Sequence, residues 1–321
     1  MKPIIIAECC QNHNGDQNIL KKMIHEAAIN GADYVKIQAI RSTELSFRER
    51  FEDGEADSEG NVLTIKRPYD EEYERLVNLD LSLEQELWFV NECKAAGVKP
   101  MTTLFTRTAV EHISNMGYEA IKIASYDCSS IPLLEDVKKH WEKIFVSTGA
   151  TYDEEIQEAV NVLSGTEFEL LHCVTIYPTP YEELHLNRIK YLKNFTSYVG
   201  YSDHSKISTT GLWASKVALA MGATNIERHY TVLREDETRD GPVSITPKLL
   251  SELREFADLE NEEQWEIIKN NFPEWEVTLG DANRALSHDE LLNRDYYRGR
   301  FVNKFEGKEF YNWENFEQKC R

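Results

Sequence analysis

The chain has 321 residues, enough to bury the core of one large α/β domain without disulfides or a structural metal. Its 56 acidic against 36 basic residues leave a formal charge of −20, which repels nucleic acid and anionic membranes and leaves any anionic substrate to local basic groups. The amino terminus enters Ile4-Ile5-Ile6-Ala7 directly, too short for a secretory apolar region. No later stretch approaches ~18 apolar residues, and the six cysteines (Cys9, Cys10, Cys93, Cys128, Cys173, Cys320) show no C-x-x-C spacing, so a cytoplasmic, reducing location is expected.

In chain order, short β-branched or apolar runs alternate with amphipathic stretches about eight times, the pattern of a parallel sheet wound with helices. Strands are expected at Ile4–Cys9, Tyr34–Ala39, Lys99–Leu104, Ala120–Ala124, Lys143–Ser147, Phe168–Cys173, Tyr198–Tyr201 and Asn225–His229. Helices are expected at Asn18–Asn30, Leu83–Ala96, Ala109–Met116, Ile131–His140, Glu154–Leu163, Thr209–Met221 and Pro247–Leu259, with Gly31, Gly97, Gly117 and Gly222 as stop signals. Eight such units predict a closed (β/α)8 TIM barrel over residues 1–260, with residues 261–321 as a linker and packing arm. The connection from Arg41 to Asp80 is long, charged and on the face where barrels place chemistry, so a lid is expected there, a solvated insertion being the alternative.

Polar residues at strand ends carry the functional signal: Glu8, Lys36, Gln38, Thr103, Lys122, Ser125, Ser147, His172, Ser202, His204, Glu227 and His229. His204 and His229 close neighbouring strands, so both imidazoles can reach one ion, and Glu227 shares the face of His229 as a further candidate ligand. Such a set suits Mn²⁺, Fe²⁺ or Zn²⁺ better than Ca²⁺. Lys36 and Lys122, with Ser125, Ser147 and Ser202, offer the positive charge and short donors that a phosphate or carboxylate needs. The alternatives are hydrogen-bonded barrel histidines and lysines that only neutralise buried carboxylates.

The run Ile5-Ile6-Ala7-Glu8-Cys9-Cys10-Gln11-Asn12-His13-Asn14-Gly15-Asp16 resembles the opening of the sialic acid synthase family, A-E-x-x-x-N-H-N-G. The likeness continues in order through Gly31-Ala32-Asp33-Tyr34-Val35-Lys36-Ile37-Gln38, Lys122-Ile123-Ala124-Ser125, Ser147-Thr148-Gly149, His172-Cys173-Val174-Thr175-Ile176-Tyr177-Pro178, Ser202-Asp203-His204-Ser205 and Glu227-Arg228-His229-Tyr230.

The resemblance implies a (β/α)8 barrel that condenses phosphoenolpyruvate with an N-acetylmannosamine-like sugar to a nonulosonic acid. It implies His204 and His229 as ligands of a divalent metal, Mn²⁺ first and Mg²⁺, Co²⁺ or Fe²⁺ as alternatives. Lys36, Lys122, Ser125, Ser147, Thr175, Tyr177 and Ser202 match the phosphoenolpyruvate cradle, while Glu8 and Gln38 match positions facing the sugar and the reacting centre. Two departures concern the acceptor. Where the family has Gly-Pro-Asp-His this chain reads Asp240-Gly241-Pro242-Val243, so Asp240 is the candidate sugar contact. A complete C-terminal antifreeze-like domain is not expected, and Arg298 or Arg300 is the candidate replacement for its arginine. The family is dimeric, and the aromatic tail (Phe301, Phe305, Phe310, Tyr311, Trp313, Phe316) needs a surface to cover, so a homodimer is expected. The competing functions are another ulosonic acid synthase, a Schiff-base aldolase using Lys36 or Lys122, and a non-catalytic sugar-acid binder.

Overall fold

The computed structural model describes residues 2–315; Phe316 and Cys320 lie outside the described residues. Eight parallel strands close into a barrel, each paired with its sequence neighbours and the eighth with the first. They run Ile4–Cys10, Tyr34–Ala39, Lys99–Leu104, Ala120–Ile123, Lys143–Ser147, Glu167–His172, Val199–Asp203 and Asn225–His229.

Side-chain alternation along these strands builds two separate apolar layers. One parity turns outward: Ile5, Ala7, Val35, Ile37, Ile121, Ile144, Val146, Leu170 and Ile226 pack under the helices in the large core. The other parity turns inward, where Ile6, Tyr34, Met101, Ala120, Phe145 and Leu171 plug the barrel. Two residues further along the same inward faces stand Glu8, Lys36, Thr103, Lys122 and Ser147. The apolar plug is therefore the floor of a polar chamber.

Local signals set the helix ends. Asp16 caps helix Gln17–Ile29 by accepting from Asn18 N at 2.7 Å. Ser82 and Gln85 form a capping box on helix Leu83–Ala96, which ends at Gly97 in the left-handed conformation, φ +78°. Helix Trp213–Ala220 is shorter than its apolar pattern suggests, because Gly211 interrupts it after Ile207–Thr210. A helix that the sequence pattern does not announce, Asn187–Leu192, fills the sixth connection; with only six residues it is too short to show a helical period.

Segment 41–80 packs down through a few buried side chains and leaves much of its surface to solvent. It holds helix Tyr69–Val77, a hairpin of Glu55–Ala56 with Val62–Thr64, and the buried side chains Leu45, Phe51 and Leu76. Beyond residue 260, helix Asn261–Asn271 packs on Trp213–Ala220, so barrel packing extends past the expected boundary. Helix His288–Tyr297 and the hairpin Asn303–Phe305 with Lys308–Phe310 return to the barrel's open end. Asn303 Oδ1 accepts from Thr108 N at 3.0 Å, and Asn312 Nδ2 donates to Phe105 O at 2.8 Å. Phe301 and Phe310 are buried, whereas Phe305 is 47% exposed. Among the described residues no helix is long and apolar enough to cross a membrane, and all five described cysteines are buried and free.

Candidate active site

At the C-terminal ends of the strands lies a cavity of about 710 Å³, lined by Glu8, Lys36, Gln38, Lys122, Ser125, Ser147, Tyr177, Ser202, His204, Glu227, His229 and Asp240 among others. Twelve of the sequence-predicted site residues are thus brought to one chamber. Thr175 is not: it is fully buried, its γ-methyl packs at Gly149, and its carbonyl accepts from Asn293 Nδ2 at 2.7 Å. The sixth strand has ended at His172, so strand alternation no longer aims that side chain. His172 also turns away, hydrogen-bonded to Leu184 O at 2.7 Å and stacked on Tyr201.

Deepest in the chamber is a charged network. Glu227 Oε1 accepts from Lys122 Nζ at 2.7 Å and from Ser202 Oγ at 2.9 Å, while Oε2 accepts from Lys122 Nζ at 2.9 Å and lies 3.6 Å from Lys36 Nζ. Lys36 also pairs with Glu8 and donates to Thr103 Oγ1 at 2.8 Å. Burial alone would raise the Glu227 carboxyl, but Lys122 and Lys36 outweigh it and hold the group well below the usual carboxylate range. Burial, reinforced by Lys122, brings the Lys36 ammonium down to about 7 despite Glu227. Lys36 is therefore poised between its charged and neutral forms near neutral pH.

Glu227, the further candidate metal ligand in the sequence, is taken up by this network. The residue shares the inward face of His229 but sits two positions deeper, where the lysines and Ser202 take its carboxylate oxygens. The histidines stand above it. His204 and His229 have ring centroids 5.5 Å apart, with Tyr177 4.2 Å from the His204 ring. His204 Nδ1 is 3.1 Å from Val174 O, a contact that fixes the proton on Nδ1 and leaves Nε2 an open acceptor. Burial pushes His204 down to about 3, with His229 adding to the effect; burial also lowers His229, against the pull of Asp240. Both rings are neutral at physiological pH, the form that ligates a metal. His229 Nδ1 is buried with no hydrogen-bond partner among the described residues. A pair of neutral imidazoles, one orphaned, fits a divalent transition ion.

Sequence reasoning missed two groups. Cys10 and Cys173 enter the chamber, Cys173 with its Sγ 3.3 Å from Ser125 Oγ. Their alternation with the outward Cys9 and His172 was the available signal. At the mouth, Glu72 of helix Tyr69–Val77 gathers Arg75, Arg300 and Arg239, and Arg75 Nη1 donates to Gln11 Oε1 at 2.8 Å. Burial would raise the Glu72 carboxyl, but these guanidinium groups hold it near 2. Arg300 thus reaches the chamber, while Arg298 leans over Trp313 outside it. That cluster ties the tail to segment 41–80 across the opening, a long-range contact with no local sequence signature.

Fold and chamber define a (β/α)8 barrel with a polar, charge-lined cavity at the strand ends where this fold places its sites. The sequence model of the NeuB family matches residues 23–264, and the chain belongs to that family. It is 37% identical to an uncharacterized protein of Methanocaldococcus jannaschii over 78% of this chain and 68% of that one. It is 34% identical to N,N'-diacetyllegionaminic acid synthase of Campylobacter jejuni over 94% of this chain and 85% of that one. Among solved structures, an N-acetylneuraminic acid (sialic acid) synthetase from Leptospira borgpetersenii in complex with citrate superposes with a TM-score of 0.69 at 29% identity, covering 92% of this chain and 91% of that one.

Proposed function

We propose that this protein condenses phosphoenolpyruvate with the open-chain aldehyde of a mannosamine-type sugar, releasing phosphate and a nonulosonic acid. The observation that carries the reading is the buried network of Lys36, Lys122, Glu227 and Ser202 beneath the histidine pair, in a chain of this family. One relative aligned over nearly the whole chain makes N,N'-diacetyllegionaminic acid, so acceptors with two N-acetyl groups belong beside N-acetylmannosamine.

Lys36 and Lys122 would neutralise the phosphate and carboxylate of phosphoenolpyruvate, with Ser125, Ser147, Ser202 and Tyr177 supplying hydroxyl donors. Carbon 3 of the enol then attacks the aldehyde carbon, water adds at carbon 2, and phosphate leaves by C–O cleavage. The lysines stabilise charge that develops on the phosphate as the bond breaks. Lys36 Nζ, brought down to about 7 and paired with Glu8, can hold or release a proton beside the reacting centre. Glu8 and Gln38 face the sugar. A divalent cation held by His204 and His229 would polarise the aldehyde and make the water more acidic. Mn²⁺ is the first ion to test, and a cytoplasmic homodimer is part of the same proposal, supported by the exposed apolar side chains Phe47, Val62 and Leu63.

The test is phosphate release from phosphoenolpyruvate with Mn²⁺ across N-acetylmannosamine, mannose, arabinose phosphate and di-N-acetylated sugars. Release should require sugar and metal together and be lost in His229→Ala. Silence across that panel despite phosphoenolpyruvate binding would support a non-catalytic binder. Borohydride trapping of pyruvate on Lys36 or Lys122 would support the Schiff-base aldolase.

A further inference from the structure

We propose that Cys10 is a thiolate ligand of the metal, joined by Asp240, so that the chamber offers the ion a sulfur and a carboxylate besides His204 and His229; this rests on the metal-dependent reading above.

Cys10 closes the first strand beyond an irregularity in its pairing with the second and lines the chamber with Glu8, whereas Cys9 is sealed in the outer core. Its backbone sits at φ +46°, left-handed space that is unfavourable for any residue with a Cβ and that glycine enters freely. A side chain held in such a conformation is a reason to look for its use. Cys10 Sγ, a ring nitrogen of His229 and a carboxylate oxygen of Asp240 all lie within 4.8 Å of one another. Donor atoms bound to one tetrahedral ion are separated by roughly 3.5 Å, so a small contraction would seat them. Of the two ring nitrogens of His229, Nδ1 is buried with no hydrogen-bond partner among the described residues and lies 3.7 Å from Asp240 Oδ2.

The surroundings hold this trio in place. Asn12, two residues beyond Cys10, donates to Tyr230 O and Ser244 Oγ, both at 3.0 Å, and accepts from Thr238 Oγ1. Ser244 Oγ in turn donates to Asp240 O at 2.6 Å. The loop bearing Asp240 is thereby fastened to the turn bearing Cys10. In the metal-free protein burial and the Asp240 carboxylate push the Cys10 thiol well above its ordinary value, so its proton would leave to solvent only on coordination. A thiolate favours Co²⁺, Zn²⁺ or Fe²⁺ over Mg²⁺, which gives this chain a softer metal preference than histidines and oxygens alone. It also places Asp240 on the metal rather than on the sugar, its role under the sequence resemblance.

The test titrates the metal-stripped full chain with Co²⁺ and reads its visible and near-ultraviolet spectrum. Wild type should show cobalt d–d bands together with a thiolate-to-cobalt charge-transfer band. Cys10→Gly, which suits the positive φ and should fold, is expected to keep d–d bands, lose the charge-transfer band and bind Co²⁺ about tenfold or more weakly. Cys173→Ser should leave the charge-transfer band intact. Cobalt d–d bands without charge transfer in the wild type, or charge transfer that survives in Cys10→Gly, would overturn the thiolate ligand while leaving the synthase reading standing. Failure of the wild type to bind Co²⁺ at all would overturn both.

Discussion

Replacing Glu227 by Gln keeps the shape of the deepest side chain and removes the charge that Lys122 and Lys36 share. Glu227 is 6% exposed and receives hydrogen bonds of 2.7 and 2.9 Å from Lys122 and 2.9 Å from Ser202. Removing one partner of a buried pair costs about 3–5 kcal/mol, chiefly because the remaining charge is stranded. With roughly 2.1 cal/mol/K of unfolding entropy per residue over 321 residues, that loss lowers Tm by about 4–8 °C. The effect should depend on pH. Lys36 is brought to about 7 when folded but titrates near its ordinary value when unfolded, so the folded state binds fewer protons between those values and stability rises with pH across that window. Losing Glu227 removes support for the charged form of Lys36, so the variant's deficit should be larger at pH 6.5 than at pH 9. Circular dichroism melts of wild type and Glu227→Gln at both pH values provide the measurement. A Tm within 1 °C of wild type at both would refute the picture of Glu227 as the counter-charge of two buried lysines.

Four further outcomes follow from the same geometry. Asp203 and Arg228 are fully buried and paired, and they also bind Ser205, Ser215 and Tyr201, so Arg228→Leu should cost about 3–5 kcal/mol by chemical denaturation and weaken metal binding through displacement of the His204 loop. A Cβ on Gly200 would meet the Asn225 side chain at 2.1 Å, so Gly200→Ala should lower stability by roughly 1–3 kcal/mol in the same assay. His13 is lowered by burial to about 4 and His172 to about 3, so both fold neutral; stability should fall as pH drops below about 6.5, and His172→Gln should flatten that acid limb in melts between pH 4 and 7. Chelation of the as-purified protein should lower Tm, and the loss should be restored by Mn²⁺ in the wild type but not in a His204→Ala, His229→Ala double variant.

The barrel was legible because its strands are short apolar runs whose inward parity turns polar at one end. Tyr34-Val35-Lys36-Ile37-Gln38 shows the pattern complete: Val35 and Ile37 enter the outer core while Lys36 and Gln38 line the chamber. The same parity predicted where Glu8, Lys122, Ser202 and His229 point. It failed once a strand had ended, as at Thr175, which is packed away, and it carries no information on depth, as at Glu227, which faces inward but below the histidines. The arginines around Glu72 were illegible for a different reason. Arg75, Arg239 and Arg300 come from three distant segments, and only tertiary packing of the tail across the mouth brings them to one carboxylate.

A chamber that joins carbon 3 of phosphoenolpyruvate to a sugar aldehyde must leave a new carbon–carbon bond at that carbon. Incubation of the metal-loaded protein with phosphoenolpyruvate labelled with ¹³C at carbon 3 and an accepted sugar, followed by ¹³C NMR, tests it most directly. The vinylic methylene signal should be replaced by a saturated methylene coupled to the former aldehyde carbon, in step with phosphate release. Conversion of the label to the methyl group of pyruvate, with the sugar recovered unchanged, would contradict it.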